Sequence, residues 1–377
     1  MPPTVLNSHR PSQLTRGGGT RRQFLKASSA ALSGLALSSC GWTLANVQPT
    51  APTDPNKLYI YTWAGYTDDE LLERFRERTG ISVVADVFSD NDSMLARIQA
   101  GGGGSYSIIY PSDYMVNKMA GLNLLTELDR DRLVGLDRLF PRFQDPLYDP
   151  GNRYSVPISW GTTGLVYNAK KLNPPPEDWD YLWEHRNKLS RRITLINDVR
   201  EVMGASLRSL GYSYNSTDAD EIRAAYEHLA DLKPAIASFT TDAWRPQILT
   251  GDLLAAMCFS ADASLVMEEN PDLDYVLPKS GSSIWGDTLV IPQFAPNPDA
   301  AYQWINFMLE PDVAASMTER LSFATPNRAA FQQLPEEIRN NPTLFPPEEA
   351  LEKSESIQPV GKAAEIYDLY WTRLTSS

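Results

Sequence analysis

The sequence predicts an α/β protein built from two lobes, and three observations support this prediction. Residues 58–112 contain three β-branched or aromatic runs separated by two amphipathic helical patterns, a βαβαβ order that is typical of a parallel sheet. Residues 154–168 form one long extended stretch with small residues in its middle, which suits a strand that crosses between lobes at a hinge. About 320 residues follow the N-terminal segment, more than one compact core usually serves.

The first 40 residues carry two export patterns and are interpreted as a targeting signal that is not part of the fold. The sequence TRRQFLK at residues 20–26 is a twin-arginine pattern, and the apolar run after it is too short to span a bilayer. The sequence LSSC at residues 37–40 then resembles the site at which a bacterial lipoprotein is cleaved and acylated. We therefore expect Cys40 to be a lipid anchor, with residues 41–56 as a flexible tether.

Charge and cysteine content narrow the functional classes. The chain has a net charge of −13, and because the first 40 residues contain five basic and no acidic residues, the exported part carries about −18. Such a charge argues against nucleic-acid binding and favours attraction of cations. Cys258 is the one cysteine beyond Cys40, so we expect no intrachain disulfide. Neither His185 nor His228 has a Cys or His neighbour at metal-ligand spacing, so we expect no metal and no cofactor.

Aromatic and polar residues follow the first and third predicted strands. Trp63 ends the first strand, and Tyr66 follows it after a turn; a capping box at residues 67–70 then begins a helix that Gly80 stops. Ser112 and Tyr114 stand in the same way at the end of the third strand. Because ligands of parallel sheets bind beyond the carboxyl ends of the strands, we expect these side chains to line a site, although core packing is the alternative.

Two pairs of residues carry acids that can face the same cleft. Asp198 and Glu201 follow a strand at residues 192–197, where they can cap the next helix, contact a ligand, or do both. Trp285 and Asp287 lie two positions apart on a predicted strand and therefore point to one face. A ring beside a carboxylate suits an organic cation; a core Trp and a turn Asp are the alternative.

The rest of the chain reads as further strands and helices of an α/β fold. We expect strands at residues 237–242 and 253–260 with a short helix between them, and Cys258 as an inert packed thiol. Helical patterns cover residues 179–188, 217–233, 298–309, 311–321 and 360–374.

Taken together, several segments make the chain resemble the spermidine/putrescine-binding proteins, the substrate-binding subunits of polyamine ABC transporters. The segments that carry the resemblance are YIYTW at 59–63, YPS at 110–112, YSVP at 154–157, NDVREV at 197–202, SIWGDTL at 283–289, EPDVA at 310–314 and ATPN at 324–327. The resemblance implies a two-lobed periplasmic-binding-protein fold (type II-like) with a hinge and discontinuous lobes. One lobe would comprise residues 57–162 with 287–331, and the other residues 163–286 with 332–377.

The resemblance also implies which residues bind the ligand. The aromatic positions of the family fall on Trp63, Tyr66, Phe259, Trp285 and Phe323. Its carboxylates fall on Asp198, Glu201 and Asp287, and its supporting polar positions on Ser112, Tyr114 and Thr241. Five positions depart from the family: Gly65 replaces an acid, Phe259 an indole and Phe323 a tyrosine, while Asp113 adds a carboxylate. The glutamine that the family has near its C-terminus falls near Ile357, one position before Gln358.

The function that this resemblance implies is capture of a polyamine, spermidine or putrescine, and its delivery to the permease of an ABC importer. The protein would be lipid-anchored on the periplasmic or cell-surface face of the cytoplasmic membrane, and it would be neither an enzyme nor a nucleic-acid-binding protein. One alternative is a binding protein of the same fold for another small solute, such as an amino acid or an anion. An anion site would need an Arg or Lys side chain in the cleft, and Arg200 is the strongest candidate for that role. Another is an exported hydrolase that uses Asp198 and Glu201, although no histidine lies near a nucleophile.

Overall fold

The predicted βαβαβ opening is present in the computed structural model, which describes residues 54–376. Strand β1 (Lys57–Trp63) pairs in parallel with β2 (Ser82–Phe88) and with β3 (Ile108–Ile109). Asp68 caps helix α1 (Asp69–Thr79) by accepting the Leu71 N–H at 2.8 Å, and α2 (Asn91–Gln99) connects β2 to β3. The predicted export signal, with Cys40, and most of the predicted tether lie outside the described residues.

The remaining elements follow in chain order. The strands are β4 (Ser155–Asn168), β5 (Ile193–Leu195), β6 (Ile236–Phe239), β7 (Ala255–Phe259), β8 (Leu273–Val276), β9 (Ser283–Val290) and β10 (Glu355–Ser356). The helices are α3 (Asp113–Gly121), α4 (Pro141–Gln144), α5 (Tyr181–Glu184), α6 (Val199–Ser209), α7 (Ala219–Leu232), α8 (Arg245–Thr250), α9 (Ser260–Glu269), α10 (Pro298–Met308), α11 (Pro311–Leu321), α12 (Arg328–Phe331), α13 (Glu336–Arg339), α14 (Glu348–Leu351) and α15 (Ala364–Ser376).

The strands form one mixed sheet in the order β2-β1-β3-β9-β4-β7-β5-β6, with β10 paired to β9 and β8 to β4. The pairs at both ends of this order are parallel, as predicted for the opening. Strands β9 and β4 run antiparallel to each other, β9 also to β3, and β4 also to β7 and β8, whereas β10 is parallel to β9. Residues 155–162 of β4 pair with β9, and residues 163–168 pair with β7 and β8. The long strand β4 therefore joins the two halves of the sheet.

Two hydrophobic cores lie along β4, one at each half. Val156 and Trp160 pack into the first core with side chains of β1, α1 and α10, whereas Leu165 and Tyr167 pack into the second with those of α6 and α7. Leu351, which the predicted boundaries place in the lobe of residues 163–286 and 332–377, packs in the first core. This arrangement agrees with two packed halves around a crossing strand; the lobe boundaries given above remain a prediction.

The helix predicted over residues 179–188 is shorter in the structure, where only α5 forms. Two aromatic side chains of this segment are held by contacts outside the helix. The Trp179 indole, ahead of α5, donates to Gly281 O at 3.0 Å, and the hydroxyl of Tyr181, the first residue of α5, donates to Pro174 O at 2.9 Å. These tertiary contacts override a helical pattern of apolar residues.

Candidate functional site

The side chains of Ser283, Trp285 and Asp287 share one face of β9, because alternate residues of a strand point to the same side. Each of them contacts a different part of the fold. Ser283 contacts Glu201 of α6, Trp285 lies edge-on to Phe259 with ring centroids 5.4 Å apart, and Asp287 contacts residues near β1 and β3. This face of β9 therefore brings acids and rings from both halves of the sheet together.

Asp287 is buried, with 8% of its surface exposed, and its carboxylate is held by hydroxyl groups. The Tyr66 hydroxyl donates to Oδ2, and the Ser112 hydroxyl donates to Oδ1 at 2.9 Å. Burial raises the pKa of Asp287 to about 6, although both hydroxyls lower it. A carboxylate in this setting gains from a cation that replaces the water it has lost.

Ser159 completes the contacts around Asp287. The register of β4 against β9 shifts between Pro157 and Ser159, so that Ser159 lies opposite Asp287. Such a bulge changes the direction in which a side chain points. The Ser159 hydroxyl lies 2.7 Å from that of Tyr66, which also contacts Asp287.

Asp198 and Glu201 lie at the N-terminus of α6, and Asp198 is its cap, as one of the two predicted roles requires. Its Oδ1 accepts the N–H groups of Arg200 at 2.8 Å and Glu201 at 3.0 Å. Burial raises the pKa of Asp198, and the Arg200 charge opposes that rise. Because Asp198 is only half-buried, its carboxylate remains able to accept a further hydrogen bond from a ligand.

Glu201 is buried, with 3% of its surface exposed. Two hydroxyls donate to its carboxylate, from Ser283 at 2.8 Å and from Tyr214 at 2.8 Å. Burial first, and then the charge of Asp198, raise the pKa of Glu201 to about 7. Glu201 on α6 and Asp287 on β9 are thus two buried carboxyls, and neither forms an ion pair with a lysine or arginine in the part of the chain that the structure describes.

Four of the predicted aromatic side chains form a continuous set of ring contacts beside these acids: Tyr66, Phe323, Trp285 and Phe259. Phe323 stacks on Tyr66 with centroids 4.8 Å apart, and it meets Trp285 edge-on at 6.3 Å. Trp63 packs against Phe88 at the end of β1. The indole nitrogens of Trp63 and Trp285 are buried without a hydrogen-bond partner among residues 54–376, although the Trp63 indole lies close enough to Asp287 to lower the pKa of that carboxyl.

Ser112, Asp113 and Tyr114 lie at the N-terminus of α3, where Ser112 forms a β-bridge with Asp287 of β9. The Asn91 amide donates to the hydroxyls of both Ser112 and Tyr114 at 3.1 Å. Burial, and then the charge of Asp198, raise the pKa of Tyr114, so this ring lies within electrostatic range of α6. Asp113 is buried against β9 at Gly286, on the face of the strand opposite the side chains of Trp285 and Asp287.

The structure brings most of the predicted site residues into contact with one another. Thr241 is the exception, because the contact that the structure gives it is local: its carbonyl accepts the Trp244 indole N–H at 2.8 Å. Cys40 lies outside the described residues. Within residues 54–376 no group of three or more His, Cys, Asp or Glu residues is arranged to hold a metal ion, and no helix is long and apolar enough to cross a membrane.

Four polar residues that the sequence analysis did not single out contact predicted site residues. Tyr214 and Ser283 donate to the Glu201 carboxylate, whereas Asn91 contacts the hydroxyls of Ser112 and Tyr114, and Ser159 that of Tyr66. Ser283 was detectable, because it lies two positions before Trp285 on the same strand face. The other three depend on contacts between distant parts of the chain, and a single hydroxyl or amide carries no local signal for them.

The chain is similar to known solute-binding proteins over most of its length. The family model described as bacterial extracellular solute-binding protein matches residues 70–346. The spermidine/putrescine-binding periplasmic protein of Salmonella typhimurium is 36% identical over 323 residues, which cover 85% of this chain and 92% of that protein. The putrescine/cadaverine-binding protein of Pseudomonas aeruginosa is 32% identical over 305 residues, covering 78% and 86%.

Solved structures of spermidine/putrescine transporter proteins are also similar to this chain over most of its length. A putative spermidine/putrescine ABC transporter protein from Listeria monocytogenes matches with a TM-score of 0.80 at 37% identity, covering 85% of this chain and 98% of that one. The spermidine/putrescine ABC transporter substrate-binding protein of Streptococcus pneumoniae matches with a TM-score of 0.74 at 37% identity, covering 84% and 99%. The matched family and the relatives from Salmonella, Pseudomonas and Streptococcus are solute-binding proteins and not enzymes.

Proposed function

The chain belongs to the bacterial extracellular solute-binding proteins, among the spermidine/putrescine-binding members, and from this premise we propose that it captures a polyamine and delivers it to the permease of an ABC importer. Spermidine and putrescine are the expected ligands. A polyamine is a row of ammonium groups joined by methylenes, so its site needs carboxylates at fixed spacing with apolar walls between them.

The observation that carries the proposal is the set of buried acids without basic partners, interleaved with rings. Glu201 and Asp287 lose water on burial, and in the described residues their polar contacts are hydroxyl groups, not ammonium or guanidinium groups. An organic cation supplies the missing charge. An anionic ligand would need Arg or Lys at this place, but Arg200 instead donates to Gln358 O at 2.9 Å and Asn215 Oδ1 at 2.8 Å.

In the proposed complex, Asp198 and Glu201 hold one ammonium group and Asp287 holds another. The rings of Trp63, Tyr66 and Trp285 cover the methylenes between them, and each cation–π contact contributes about 0.5–2 kcal/mol. Enclosure of the ligand excludes water, which strengthens every ion contact in the site. Removal of one of the buried carboxylates should then cost roughly 2–5 kcal/mol of binding free energy.

Isothermal titration of the purified exported domain tests this assignment. We expect spermidine or putrescine to bind the wild type, and Asp287→Asn and Trp285→Leu to weaken that binding by well over tenfold. Asp299→Asn is a matched control, because it removes one charge from a side chain that is 81% exposed and paired with Arg132. Spermidine binding within threefold of wild type in both site variants would reject the site.

A competition panel separates the proposed ligand class from the other solutes of this fold. Acidic and neutral amino acids should not displace spermidine at concentrations at which putrescine and spermine do. Displacement by an amino acid alone would replace the polyamine proposal by an amino-acid one. Turnover of a glycoside by the purified protein would instead favour the hydrolase alternative.

We also propose that the mature protein is tethered through Cys40 to the outer face of the cytoplasmic membrane. The LSSC sequence after a twin-arginine pattern supports this, as does similarity to a periplasmic protein and to a family of extracellular solute-binding proteins. Metabolic labelling with an alkyne fatty acid should mark the wild type and not Cys40→Ser, which should appear in the soluble fraction. Equal membrane recovery of both forms would contradict the anchor.

A further inference from the structure

Tyr214 is a fully buried phenol whose ring is held in place by its surroundings. The ring lies against α6, where a β-carbon on Gly204 would overlap it. The backbone N–H of Tyr214 donates to Glu355 Oε1 at 3.0 Å, and that carboxylate is paired with Arg208, also at 3.0 Å. The Tyr214 hydroxyl therefore has a fixed position in the fold.

This hydroxyl has two acceptors, and both belong to Glu201. It lies 2.8 Å from Oε2 of the side chain and 2.8 Å from the backbone O of the same residue. A hydroxyl has one hydrogen, so the two oxygens compete for it. An ionised carboxylate accepts that hydrogen more strongly than a neutral carboxyl does, because hydrogen bonds to charged groups are stronger. The geometry therefore favours the ionised form of Glu201.

Glu201 connects this phenol to the candidate site. The Ser283 hydroxyl contacts the same Oε2 at 2.8 Å, and Ser283 shares its face of β9 with Trp285 and Asp287. Tyr214 itself has no exposed surface. An effect of its hydroxyl on a bound ligand must therefore pass through the Glu201 carboxyl.

The other titratable groups around Glu201 are acids and phenols. Burial first, and then the charge of Asp198, which caps the same helix, raise the pKa of Glu201, against hydrogen bonds from hydroxyl groups. For Asp113 and Tyr275, burial is the main cause that raises the pKa, and the charge of Glu201 adds to it. Burial and then the charge of Glu201 also raise the pKa of Tyr214, so this phenol keeps its hydrogen near neutral pH.

We propose that Tyr214 is a positioning residue that sets the pH range over which the site binds a polyamine. This inference rests on the polyamine-binding function proposed above. In it, Glu201 meets an ammonium group only as a carboxylate, and the proton that it carries in the ligand-free protein leaves to solvent on binding. The Tyr214 hydroxyl lowers the cost of that ionisation, so that the site fills near neutral pH.

The test is titration of Tyr214→Phe with spermidine at pH 6 and pH 8.5. Phenylalanine keeps the ring and loses only the hydroxyl, which should disfavour the ionised Glu201 carboxyl about tenfold relative to the neutral one. Because the pKa of Glu201 is about 7, the Kd of the variant should exceed that of the wild type about tenfold at pH 6 and less than about twofold at pH 8.5. The titration of spermidine itself is common to both proteins and does not affect this ratio.

Tyr367→Phe is a matched control for the loss of a buried phenol hydroxyl. The Tyr367 side chain is also fully buried, and its hydroxyl donates to Ser216 O at 2.8 Å instead of to Glu201. Its spermidine Kd should equal that of the wild type at both pH values. Site-specific 3-fluorotyrosine at position 214 guards against failure of Tyr214→Phe to fold, because it keeps the ring and makes the hydroxyl a stronger donor. That protein should bind spermidine more tightly than the wild type at pH 6.

The pH dependence of the Kd ratio distinguishes this role from a merely structural one. A ratio for Tyr214→Phe that is the same at both pH values would overturn the proposal, because a loss of packing or shape does not depend on pH. A ratio near one at pH 6, or a fluorotyrosine form that binds no more tightly than the wild type there, would also overturn it. A wild type that binds no polyamine at either pH would instead refute the proposed function itself.

Discussion

Replacement of Glu201 by glutamine should stabilise the ligand-free protein at high pH while it weakens ligand binding. The folded-state pKa of Glu201 is about 7, above its ordinary value of 4.5. Between these two pH values the folded protein holds a proton on Glu201 that the unfolded chain has released. The contribution of Glu201 to the free energy of unfolding is therefore greatest below pH 4.5 and falls as the pH rises to 7. Ionisation of Glu201 at pH 8 then costs roughly 3 kcal/mol, and the glutamine avoids that cost.

A lost hydrogen bond opposes this gain in the stability of Glu201→Gln. The hydroxyls of Ser283 and Tyr214 both donate to Oε2 of Glu201, and the Ser283 hydroxyl also lies 3.0 Å from Oε1, where glutamine has an NH2 group that cannot accept. Loss of one such hydrogen bond costs about 1 kcal/mol. The net gain for Glu201→Gln at pH 8 is therefore about 2 kcal/mol, or roughly 3 °C in Tm for a chain of this size. At pH 5, where the glutamate already carries its proton, the variant should be the less stable by about 1 kcal/mol.

Thermal unfolding of both proteins at pH 5 and pH 8, without ligand and in saturating spermidine, measures these effects. The difference in Tm should change sign between the two pH values in the ligand-free samples. In saturating spermidine at pH 8 the wild type should be the more stable protein, because the variant has lost an ion contact with the ligand. A variant that is less stable by the same amount at both pH values would show that the burial cost of Glu201 is not what the surroundings of its carboxylate imply.

Three further results follow from the same geometry. Tyr66→Phe removes a hydroxyl that donates to Asp287, so the spermidine Kd from titration should rise roughly tenfold, as expected for a hydrogen bond to a charged group. Gly161→Ala should weaken spermidine binding about five- to tenfold, because its β-carbon would lie 2.3 Å from Cζ2 of Trp285 and must displace that ring. Spermidine affinity should fall from pH 7.5 to pH 5.5, because binding needs ionised Glu201 and Asp287, whose pKa values are about 7 and about 6.

The elements that sequence reasoning predicted well are those with a strong local pattern. The alternation around Trp285 predicted a strand with Asp287 on the same face, and β9 has that form. The spacing of Asp198 and Glu201 predicted a helix cap, and Asp198 accepts the N–H of Glu201 at 3.0 Å. In both cases the signal depends on residues two or three positions apart, where backbone geometry alone determines the outcome.

The parts of the site that could not be predicted from the sequence depend on contacts between residues that are far apart along the chain. The bulge that sets Ser159 opposite Asp287 comes from a change of register between two strands, which no local pattern reports. Ser283 and Glu201 are 82 residues apart, and their contact exists only because β9 passes the N-terminus of α6. The family resemblance named Thr241 as a supporting position, yet the contact that the structure gives it lies within its own loop.

Strand β9 explains why a ligand with charges at both ends suits this arrangement. One end of the strand holds Glu201 through Ser283, and the middle carries Asp287, whose other partners belong to the first half of the sheet. A monoamine could neutralise only one of these buried carboxyls, and the other would keep its full burial cost. A polyamine removes both costs at once and covers Trp285 between them, so the acids that make the ligand-free protein less stable near neutral pH are the source of its affinity.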